Sequence, residues 1–369
     1  MKMKYLIFAA CIMLQFPVSN GRTPVHFLNT DSIKIGLLIT DNKSVAAKNG
    51  AEMAIREANK NGGCKGNPFK LIVRSLEGPW GTGSKEAVSM IFENEVWAIM
   101  GSHDGRNAHL AEQVAVKTRI VFLSAWAADP TLSQAFVPWY FSCVPNNNQQ
   151  AEVLIDEIYS NKKFRKVVVI AETSYDAEFA LKSIVNKITV PGKENPVQLR
   201  YDKTDNDFSI LADKVIEAKA DCIAILGTPL SSIKIIEILK EKGIRIPVYG
   251  TLSLMDDNEL KGKKLSVYEG ISLVSSDHWY NPQGEIFKEE YKKLYGNEPG
   301  SVAAYAYDGM KMLIDAIITA SPDRDKVQEA LANIKYEGVT GTIQFDERGN
   351  RKGPFHLMII KGGIPLSSQ

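Results

Sequence analysis

The chain has 369 residues, of which 44% are hydrophobic and 24% charged, and its formal net charge at pH 7 is +1. This composition is typical of a folded globular protein, and the length favours two domains. The near-neutral charge argues against nucleic acid as a main partner, because nucleic-acid-binding domains carry a basic patch or stripe. The basic runs, such as residues 161–166, are short and typical of a solvated helix end.

The N-terminus has the three regions of a secretory signal. Lys2 and Lys4 precede an apolar run from Tyr5 to Pro17, and small or polar residues follow. The apolar run is shorter than the roughly 20 residues that cross a bilayer. We therefore expect residues 1–21 to be a signal peptide and the mature protein to be periplasmic or secreted.

Short β-branched runs then alternate with longer segments of helical periodicity, which is the pattern of parallel sheets built from βαβ units. In the first half of the chain we predict strands at residues 33–39, 69–75, 96–100 and 120–124. The predicted helices between and after these strands span residues 46–61, 84–95 and 107–118.

A second block repeats the same alternation. Its predicted helices span residues 149–160, 178–188, 208–219 and 231–242, and its predicted strands span 166–171, 197–201, 222–226 and 247–249. A further strand at 269–274, helices at 286–295 and 302–320, and a β-rich terminal stretch follow.

The two blocks predict two doubly wound α/β lobes of similar size, joined through residues 138–148, which are rich in proline and asparagine. Ligands of such sheets bind beyond the carboxyl ends of the strands. The expected site is therefore the cleft between the lobes. The elements after residue 249 have to be shared between the lobes, which implies several crossings and a hinge with limited travel.

The four cysteines carry no recognisable motif. Only about six apolar residues precede Cys11, which argues against a lipid-anchored cysteine. Cys64, Cys143 and Cys222 are widely spaced, so neither a zinc nor a redox site is predicted. Cys222 lies in an apolar run and is expected in a buried strand. An oxidising compartment would permit a disulfide between Cys64 and Cys143.

The sequence shows no catalytic arrangement, such as a nucleophile with its base or a pair of catalytic acids. His103, Asp104 and His109 lie close together but lack the spacing of metal ligands. Residues 81–86 lack the spacing of a phosphate-binding loop. We therefore expect neither enzymatic activity nor a cofactor or metal.

Seven segments occur in an order known from one family. They are 50–63 (GAEMAIREANKNGG), 98–101 (AIMG), 123–132 (LSAWAADPTL), 205–209 (DNDFS), 287–296 (FKEEYKKLYG), 305–308 (YAYD) and 338–346 (GVTGTIQFD). Through these segments the chain resembles the Leu/Ile/Val-binding protein family of ABC-importer receptors along nearly all of the mature sequence. The resemblance implies the type I periplasmic binding protein fold and closure of two lobes on a solute.

The resemblance also implies three crossovers between the lobes, near Asn146, Ser276 and Val339. The first lobe would comprise residues 31–145 and 277–338, and the second lobe residues 146–276 and 339–369. The implied partners are ABC permease and ATPase subunits, which this sequence does not contain. We expect a monomer.

In this family, two loops of the first lobe hold the ligand's carboxylate with hydroxyl and N–H groups at helix N-termini, which stabilise anions. The candidate contacts in the matching loops are Ser102, Asp104, Gly105, Arg106, Ser124, Ala125, Trp126 and Ala128. Gly105 and Ala128 stand where the family has a serine and a threonine, so two hydroxyls are missing.

Arg106 lies next to this gap. A guanidinium binds a carboxylate or phosphate through two parallel hydrogen bonds. Alternatively, Arg106 pairs with Asp104 or Glu77 at the rim of the cleft. An anionic solute is therefore a hypothesis that rests on Arg106.

The second lobe of the family supplies a carboxylate for the ligand's ammonium group. The matching position is Thr251 or Leu252 here, and no acidic residue follows until Asp256, which disfavours a free α-amino acid. The other candidates that the resemblance assigns are Tyr175, Asp176, Thr228 and Trp279, or Tyr280 in a shifted register.

Trp80 and Trp126 both follow predicted strands of the first lobe and are expected at the edge of the cleft. An indole offers a large apolar face with one N–H donor, which suits a ring or a cation. Packing within the lobe is the alternative. Two tryptophans at the cleft favour a flat, partly apolar ligand, such as an aromatic acid, an amide or an alcohol.

These observations predict an extracytoplasmic solute-binding protein of an ABC importer. Its solute would be amino-acid-like, an amide, or an aromatic or other organic acid. The same fold also serves in ligand-sensing receptors. The alternative is therefore a periplasmic sensor that acts with a membrane signalling partner or a periplasmic dehydrogenase system.

Overall fold

A computed structural model describes residues 32–367, except for 102–103, 136–137, 189–193, 261, 276–281 and 322. The predicted signal peptide (1–21), the predicted crossover at Ser276 and the candidate residues Ser102 and Trp279 lie outside the described residues. Within these limits, the structure contains no helix with both the length and the apolar character that crossing a membrane requires.

The first lobe is built on a parallel five-stranded sheet with the strand order β2-β1-β3-β4-β5. Its strands are β1 (Ile33–Ile39), β2 (Phe69–Ser75), β3 (Ala98–Gly101), β4 (Val121–Ser124) and β5 (Tyr140–Ser142). Its helices are α1 (Ala46–Lys60), α2 (Thr82–Phe92), α3 (Gly105–Thr118) and the short α4 (Leu132–Ala135). β3 and β4 are buried along their whole length, as expected for strands covered by helices on both faces.

The second lobe continues the alternation. Its helices are α5 (Asn147–Ile155), which runs on as a π-helix (Asp156–Asn161), α6 (Tyr175–Ile188), α7 (Ser209–Glu217), α8 (Pro229–Glu241) and α9 (Asp257–Leu260). Its strands are β6 (Val167–Glu172), β7 (Val197–Tyr201), β8 (Cys222–Leu226), β9 (Val248–Gly250) and β10 (Ser272–Ser275). Short 3-10 turns at Leu252–Met255 and Leu265–Tyr268 complete it.

The C-terminal elements are shared between the lobes. They are α10 (Pro282–Tyr295), α11 (Ser301–Ala320), α12 (Val327–Ala332) and the strands β11 (Tyr336–Gly338), β12 (Gly341–Ile343), β13 (His356–Lys361) and β14 (Ile364–Ser367). α11 packs on α1 so closely that a Cβ on Gly50 would lie 2.2 Å from the carbonyl oxygen of Ala303. β13 and β14 instead add antiparallel strands to the second sheet, whose order is β14-β13-β10-β9-β8-β6-β7.

A buried polar cluster ties the segments that pass between the lobes. Arg351 is 1% exposed and donates to the carbonyl oxygen of Cys143 at 2.9 Å and to that of Thr340 at 2.6 Å. Asp308 is fully buried and accepts from the backbone N–H groups of Val339 and Thr340 at 2.9 and 2.7 Å. Two connections, one after β5 and one after β11, are thus held at a single buried point.

The strands predicted up to residue 249 are all present, with ends that differ by at most two residues. β5 was not predicted, because it lies inside the segment 138–148 that the sequence analysis assigned to the connection between the lobes. Helices α3 and α6 begin earlier than predicted, at Gly105 and Tyr175. Asp104 explains the start of α3, since its side chain accepts from the N–H of Asn107 as an N-cap.

Cys64, Cys143 and Cys222 are free and buried. The disulfide that the sequence would permit between Cys64 and Cys143 is therefore not formed. Cys143 packs instead against α11, where its sulfur lies 3.0 Å from the position that a Cβ on Gly309 would take. Cys222 lies in β8, a buried strand, as predicted.

Candidate functional site

A cavity of about 320 Å³ lies where the loops after β4, β6, β8 and β9 meet the start of α5. The residues that line it are Trp126, Ala128, Asn147, Gln150, Glu172, Ser174, Asp176, Ala177, Ala180, Lys203, Gly227, Thr228, Thr251, Leu252, Ser253 and Asp256. Both lobes contribute, and the contributing loops follow the carboxyl ends of parallel strands. This is where ligands of open α/β sheets bind.

The first lobe contributes an aromatic wall. Trp126 lines the cavity and is 8% exposed, and its ring lies 6.1 Å from that of Tyr305 in an edge contact. Ala128 completes this side. Ser124 and Ala125 are buried, and the Ser124 hydroxyl donates to the carbonyl oxygen of Ala127 at 3.2 Å. The serine hydroxyl therefore stabilises its own loop.

The N-terminus of α3 contacts the second lobe directly. The N–H of Gly105 donates to Oδ1 of Asp176 at 2.9 Å. A Cβ on Gly105 would lie 2.8 Å from Cβ of Asp129 and 3.0 Å from the Asp176 carboxylate, so this approach requires glycine. The N–H group that the family resemblance offers to a ligand's carboxylate thus binds a carboxylate of the protein.

Tyr175 forms a second contact between the lobes. Its hydroxyl donates to Oδ2 of Asp129 at 3.0 Å, and the guanidinium carbon of Arg106 lies 5.5 Å from its ring centroid. Burial raises the pKa of Asp129, but hydrogen bonds from His109, Thr131 and Tyr175 outweigh it and hold that pKa below its usual value. Arg106 and Tyr175 are not among the described residues that line the cavity.

The second lobe contributes acidic side chains. Glu172 is 2% exposed, and its Oε2 accepts from the N–H and the hydroxyl of Thr228 at 3.2 and 2.9 Å. Burial raises the pKa of Asp176 to about 7. The N–H of Gly105 lowers that pKa, whereas the charges of Asp104 and Asp129 raise it further.

The remaining polar groups are held by neighbours. Nζ of Lys203 lies 2.6 Å from Oε1 of Glu259. Asp256 accepts from the N–H of Asn258 at 2.9 Å. The N–H of Leu252 donates to Oε1 of Gln150 at 2.8 Å, which joins the loop after β9 to α5.

The structure brings five of the predicted site residues to the cavity: Trp126, Ala128, Asp176, Thr228 and Leu252. Trp80 is 81% exposed and does not line the cavity. The sequence analysis missed Glu172 and Gly227, although the rule that sites follow strand ends would have found both, at the ends of β6 and β8. It also missed Gln150 and Lys203, whose positions depend on packing between elements distant in sequence.

Two α/β lobes with a cavity lined by both define the class of protein. Residues 32–363 match the family model described as periplasmic binding protein, so the chain belongs to that family. Members of this family are extracytoplasmic and bind small solutes. The Leu/Ile/Val-binding protein homolog 1 of Brucella suis is 22% identical over 335 residues, which are 88% of this chain and 89% of that protein.

Two solved structures share the fold. One is the branched-chain amino acid transporter substrate binding protein LivJ of Streptococcus pneumoniae in complex with isoleucine, with a TM-score of 0.79, 19% identity, and coverage of 91% of this chain and 100% of that one. The other is a solute binding protein of an ABC transporter from R. palustris in complex with benzoate, with a TM-score of 0.79, 18% identity, and coverage of 91% and 95%. They confirm the type I periplasmic binding protein fold.

The arrangement suits recognition of a small polar molecule. Hydroxyl, amide and carboxylate groups face the cavity beside one aromatic wall, which is the usual lining of a solute site. Among the residues that the structure describes, no group of three or more histidine, cysteine or acidic side chains is placed to hold a metal ion.

Proposed function

We propose that the protein is the extracytoplasmic receptor of an ABC importer and that it closes its two lobes on a small solute in the cavity described above. The observation that carries this proposal is the cavity at the carboxyl ends of strands from both sheets. Family membership supports it. Binding, without chemical conversion of the solute, is the function that this lining favours.

The solute classes expected from the sequence are amino-acid-like compounds, amides and aromatic or other organic acids. The lining favours solutes that donate hydrogen bonds, because the carboxyl groups of Glu172, Asp176 and Asp256 belong to it. A standard α-amino acid is disfavoured, since the N–H of Gly105 already binds Asp176. Trp126 suits an apolar portion of the solute.

A thermal-shift screen of the purified protein tests the proposal. The panel contains amino acids, amides, aromatic acids, alcohols, sugars and phosphorylated compounds. A ligand at about a thousand times its dissociation constant adds roughly 4 kcal/mol to the free energy of unfolding, which is readily detected. A flat result across all classes contradicts the proposal.

Two variants locate the binding. Ala128→Leu adds side-chain volume at the cavity and should abolish the shift caused by any hit, because Ala128 lines it. Trp80→Ala is the matched control, since Trp80 is 81% exposed and lies outside the cavity lining. Loss of the shift in the Trp80 variant alone would place the site elsewhere.

The proposal includes the remaining expectations from the sequence. Residues 1–21 are the signal peptide, and the lobes divide at 145/146, 276/277 and 338/339. The protein acts as a monomer with permease and ATPase subunits. N-terminal sequencing of the exported protein checks the signal, and uptake of the identified solute by cells with and without the protein separates an importer receptor from a sensor.

A further inference from the structure

Two hydrogen bonds join the lobes beside the cavity, and each ends on a carboxylate. The N–H of Gly105, at the start of α3 in the first lobe, donates to Oδ1 of Asp176 in the second lobe at 2.9 Å. The hydroxyl of Tyr175, at the start of α6 in the second lobe, donates to Oδ2 of Asp129 in the first lobe at 3.0 Å. Each lobe therefore presents one donor and one carboxylate to the other.

The two carboxylates lie close to each other. A Cβ on Gly105 would be 3.0 Å from Oδ2 of Asp129 and 3.0 Å from Oδ1 of Asp176, so these oxygens of opposite lobes are no more than twice that distance apart. Two negative charges this close, in a site partly withdrawn from water, repel each other. A proton on one of the two carboxyl groups removes the repulsion. The approach of the lobes therefore favours the uptake of a proton.

The surroundings decide which carboxyl group takes up this proton. Asp129 is 1% exposed, and hydrogen bonds with His109, Thr131 and Tyr175 hold its pKa below the usual value. For Asp176 the structure describes one hydrogen bond, from the N–H of Gly105. A protonated carboxyl group can still accept this bond through its carbonyl oxygen. The proton therefore belongs on Asp176.

We propose that closure of the lobes takes up a proton at Asp176, so that acidification favours the closed form and the retention of the solute. This inference rests on the proposed function, because it requires lobes that open and close around a solute. When the lobes separate, Asp176 moves away from Asp129 and becomes solvated. The carboxyl group then releases its proton to water.

The titration of Asp176 agrees with this geometry. Its pKa is raised to about 7, mainly by burial, with the N–H of Gly105 and the charge of Arg106 opposing the shift and the charges of Asp104 and Asp129 adding to it. In the open form the solvated group returns towards its ordinary value of 3.8. Between these values the closed form binds the extra proton. The ratio of closed to open protein should therefore fall as the pH rises, by at most about tenfold for each pH unit.

Several other acidic groups near this contact are neutral in the same pH range. Glu112 of α3 is fully buried, its side chain has no hydrogen-bond partner among the residues that the structure describes, and burial and the charge of Asp129 raise its pKa to about 10. Burial also raises the pKa values of Tyr140 in β5 and of Tyr175. These three groups therefore do not titrate between about pH 4 and pH 7.

The remaining charged groups lie on α3. Asp104 and Arg106 flank Gly105 with opposite charges. Nε2 of His109 lies 3.2 Å from Oδ2 of Asp129 and 2.9 Å from the hydroxyl oxygen of Thr131. Histidine is the side chain that most often changes charge near neutral pH. The test must therefore separate Asp176 from His109.

Energy transfer between two dyes measures how far the lobes are apart. Lys43 follows β1 and Asn206 follows β7, and both are exposed at the ends of strands that face the cleft. The dyes are attached to a Lys43→Cys, Asn206→Cys variant, in which Cys64, Cys143 and Cys222 remain buried. Without added solute, energy transfer should rise as the pH falls from about 8 to about 4.5. Circular dichroism checks that the protein stays folded.

Three variants in this background identify the group. Asp176→Asn keeps an acceptor for the N–H of Gly105 but cannot ionise, so it should remain closed at every pH, as the unmodified protein is at the acidic end. Tyr175→Phe removes one hydrogen bond between the lobes, so it should lower the ratio of closed to open protein about tenfold at every pH and keep the pH dependence. Asp213→Asn is the matched control, because Asp213 is exposed on α7 and pairs with Lys242.

Amide hydrogen exchange extends the test to a protein that is almost entirely closed. The N–H of Gly105 is bound to Asp176 in the closed form and is released when the lobes separate. Its exchange rate, divided by the intrinsic rate at each pH, measures the opening equilibrium even where the open form is rare. This ratio should rise with pH by up to about tenfold per unit, and it should be constant in Asp176→Asn.

The outcomes separate this inference from the proposed function. Energy transfer and Gly105 exchange that are both independent of pH refute the inference, as does closure that increases with pH. A pH dependence that persists in Asp176→Asn refutes the assignment, and its loss in His109→Gln would give the role to the imidazole. An Asp176→Asn protein that is more open than the unmodified one at pH 8 also refutes it. None of these results removes the receptor, which only a flat thermal-shift screen refutes.

Discussion

Replacement of Asp308 by asparagine tests whether the buried cluster between the lobes stabilises the fold. Asp308 is fully buried and accepts three hydrogen bonds: Oδ1 accepts from the N–H of Val339, and Oδ2 accepts from the N–H and the hydroxyl of Thr340. An amide has nearly the same shape but only one acceptor oxygen. Whichever way it turns, its NH₂ group faces at least one backbone N–H.

The expected cost follows from these contacts. A buried donor left without an acceptor costs about 1–3 kcal/mol, and weaker acceptance by a neutral amide adds about 1 kcal/mol. The Asp308→Asn variant should therefore lose about 3 kcal/mol of the free energy of unfolding. Urea denaturation followed by circular dichroism measures this loss through the transition midpoint.

Asp315→Asn is the control, because Asp315 lies on the same helix, α11, but is exposed. It should change the free energy of unfolding by less than about 0.5 kcal/mol. A loss below about 1 kcal/mol in the Asp308 variant, or equal losses in both variants, would refute the reasoning.

Three further predictions follow from the packing and the charges. Gly50→Ala should destabilise the protein by about 1–3 kcal/mol in the same denaturation assay, despite the higher helix propensity of alanine, because its Cβ would lie 2.2 Å from the carbonyl oxygen of Ala303. In the folded protein the pKa of Asp176 is raised from 3.8 to about 7, so between these pH values the native state binds a proton that the unfolded state has lost. The contribution of Asp176 to the free energy of unfolding therefore decreases as the pH rises from about 4 to about 7. Asp176→Asn lacks this titration, so its stability relative to the unmodified protein should increase as the pH rises through that window, and a constant difference would contradict the assignment. The buried thiols of Cys64, Cys143 and Cys222 should not react with a thiol reagent in the native state and should all react in urea. Burial also raises the pKa of Cys222 to about 12 and that of Cys143 still higher, which disfavours the reactive thiolate. Rapid labelling of the native protein would contradict their burial.

Local sequence patterns predicted most of the fold. The strands β1, β2, β7 and β8 have the predicted bounds, because their apolar, β-branched runs end at turn-forming or charged residues. β5 could not be predicted this way, since it has only three residues and follows Pro138 and Trp139. Its position depends on pairing with β4, which is a contact between distant residues.

The candidate site was predictable in part. The family resemblance placed Trp126, Thr228 and Leu252 in loops that meet at the cavity. It could not predict that Asp176 would occupy the N-terminus of α3, because that contact depends on how the two lobes approach each other. It also placed Arg106 beside the ligand, whereas in this structure the guanidinium lies over Tyr175 and Arg106 does not line the cavity.

The buried cluster around Arg351 has a mechanical consequence. The guanidinium lies 5.9 Å from the ring of Tyr305, which in turn contacts Trp126. If one lobe rotates about this cluster, the displacement of each atom is proportional to its distance from the cluster. Trp126 is joined to this cluster through Tyr305, so such a rotation would move it little. In the lobe motion that we propose, opening the cavity would break the Gly105–Asp176 and Tyr175–Asp129 hydrogen bonds, which join the two lobes, and would leave Trp126 beside the buried cluster.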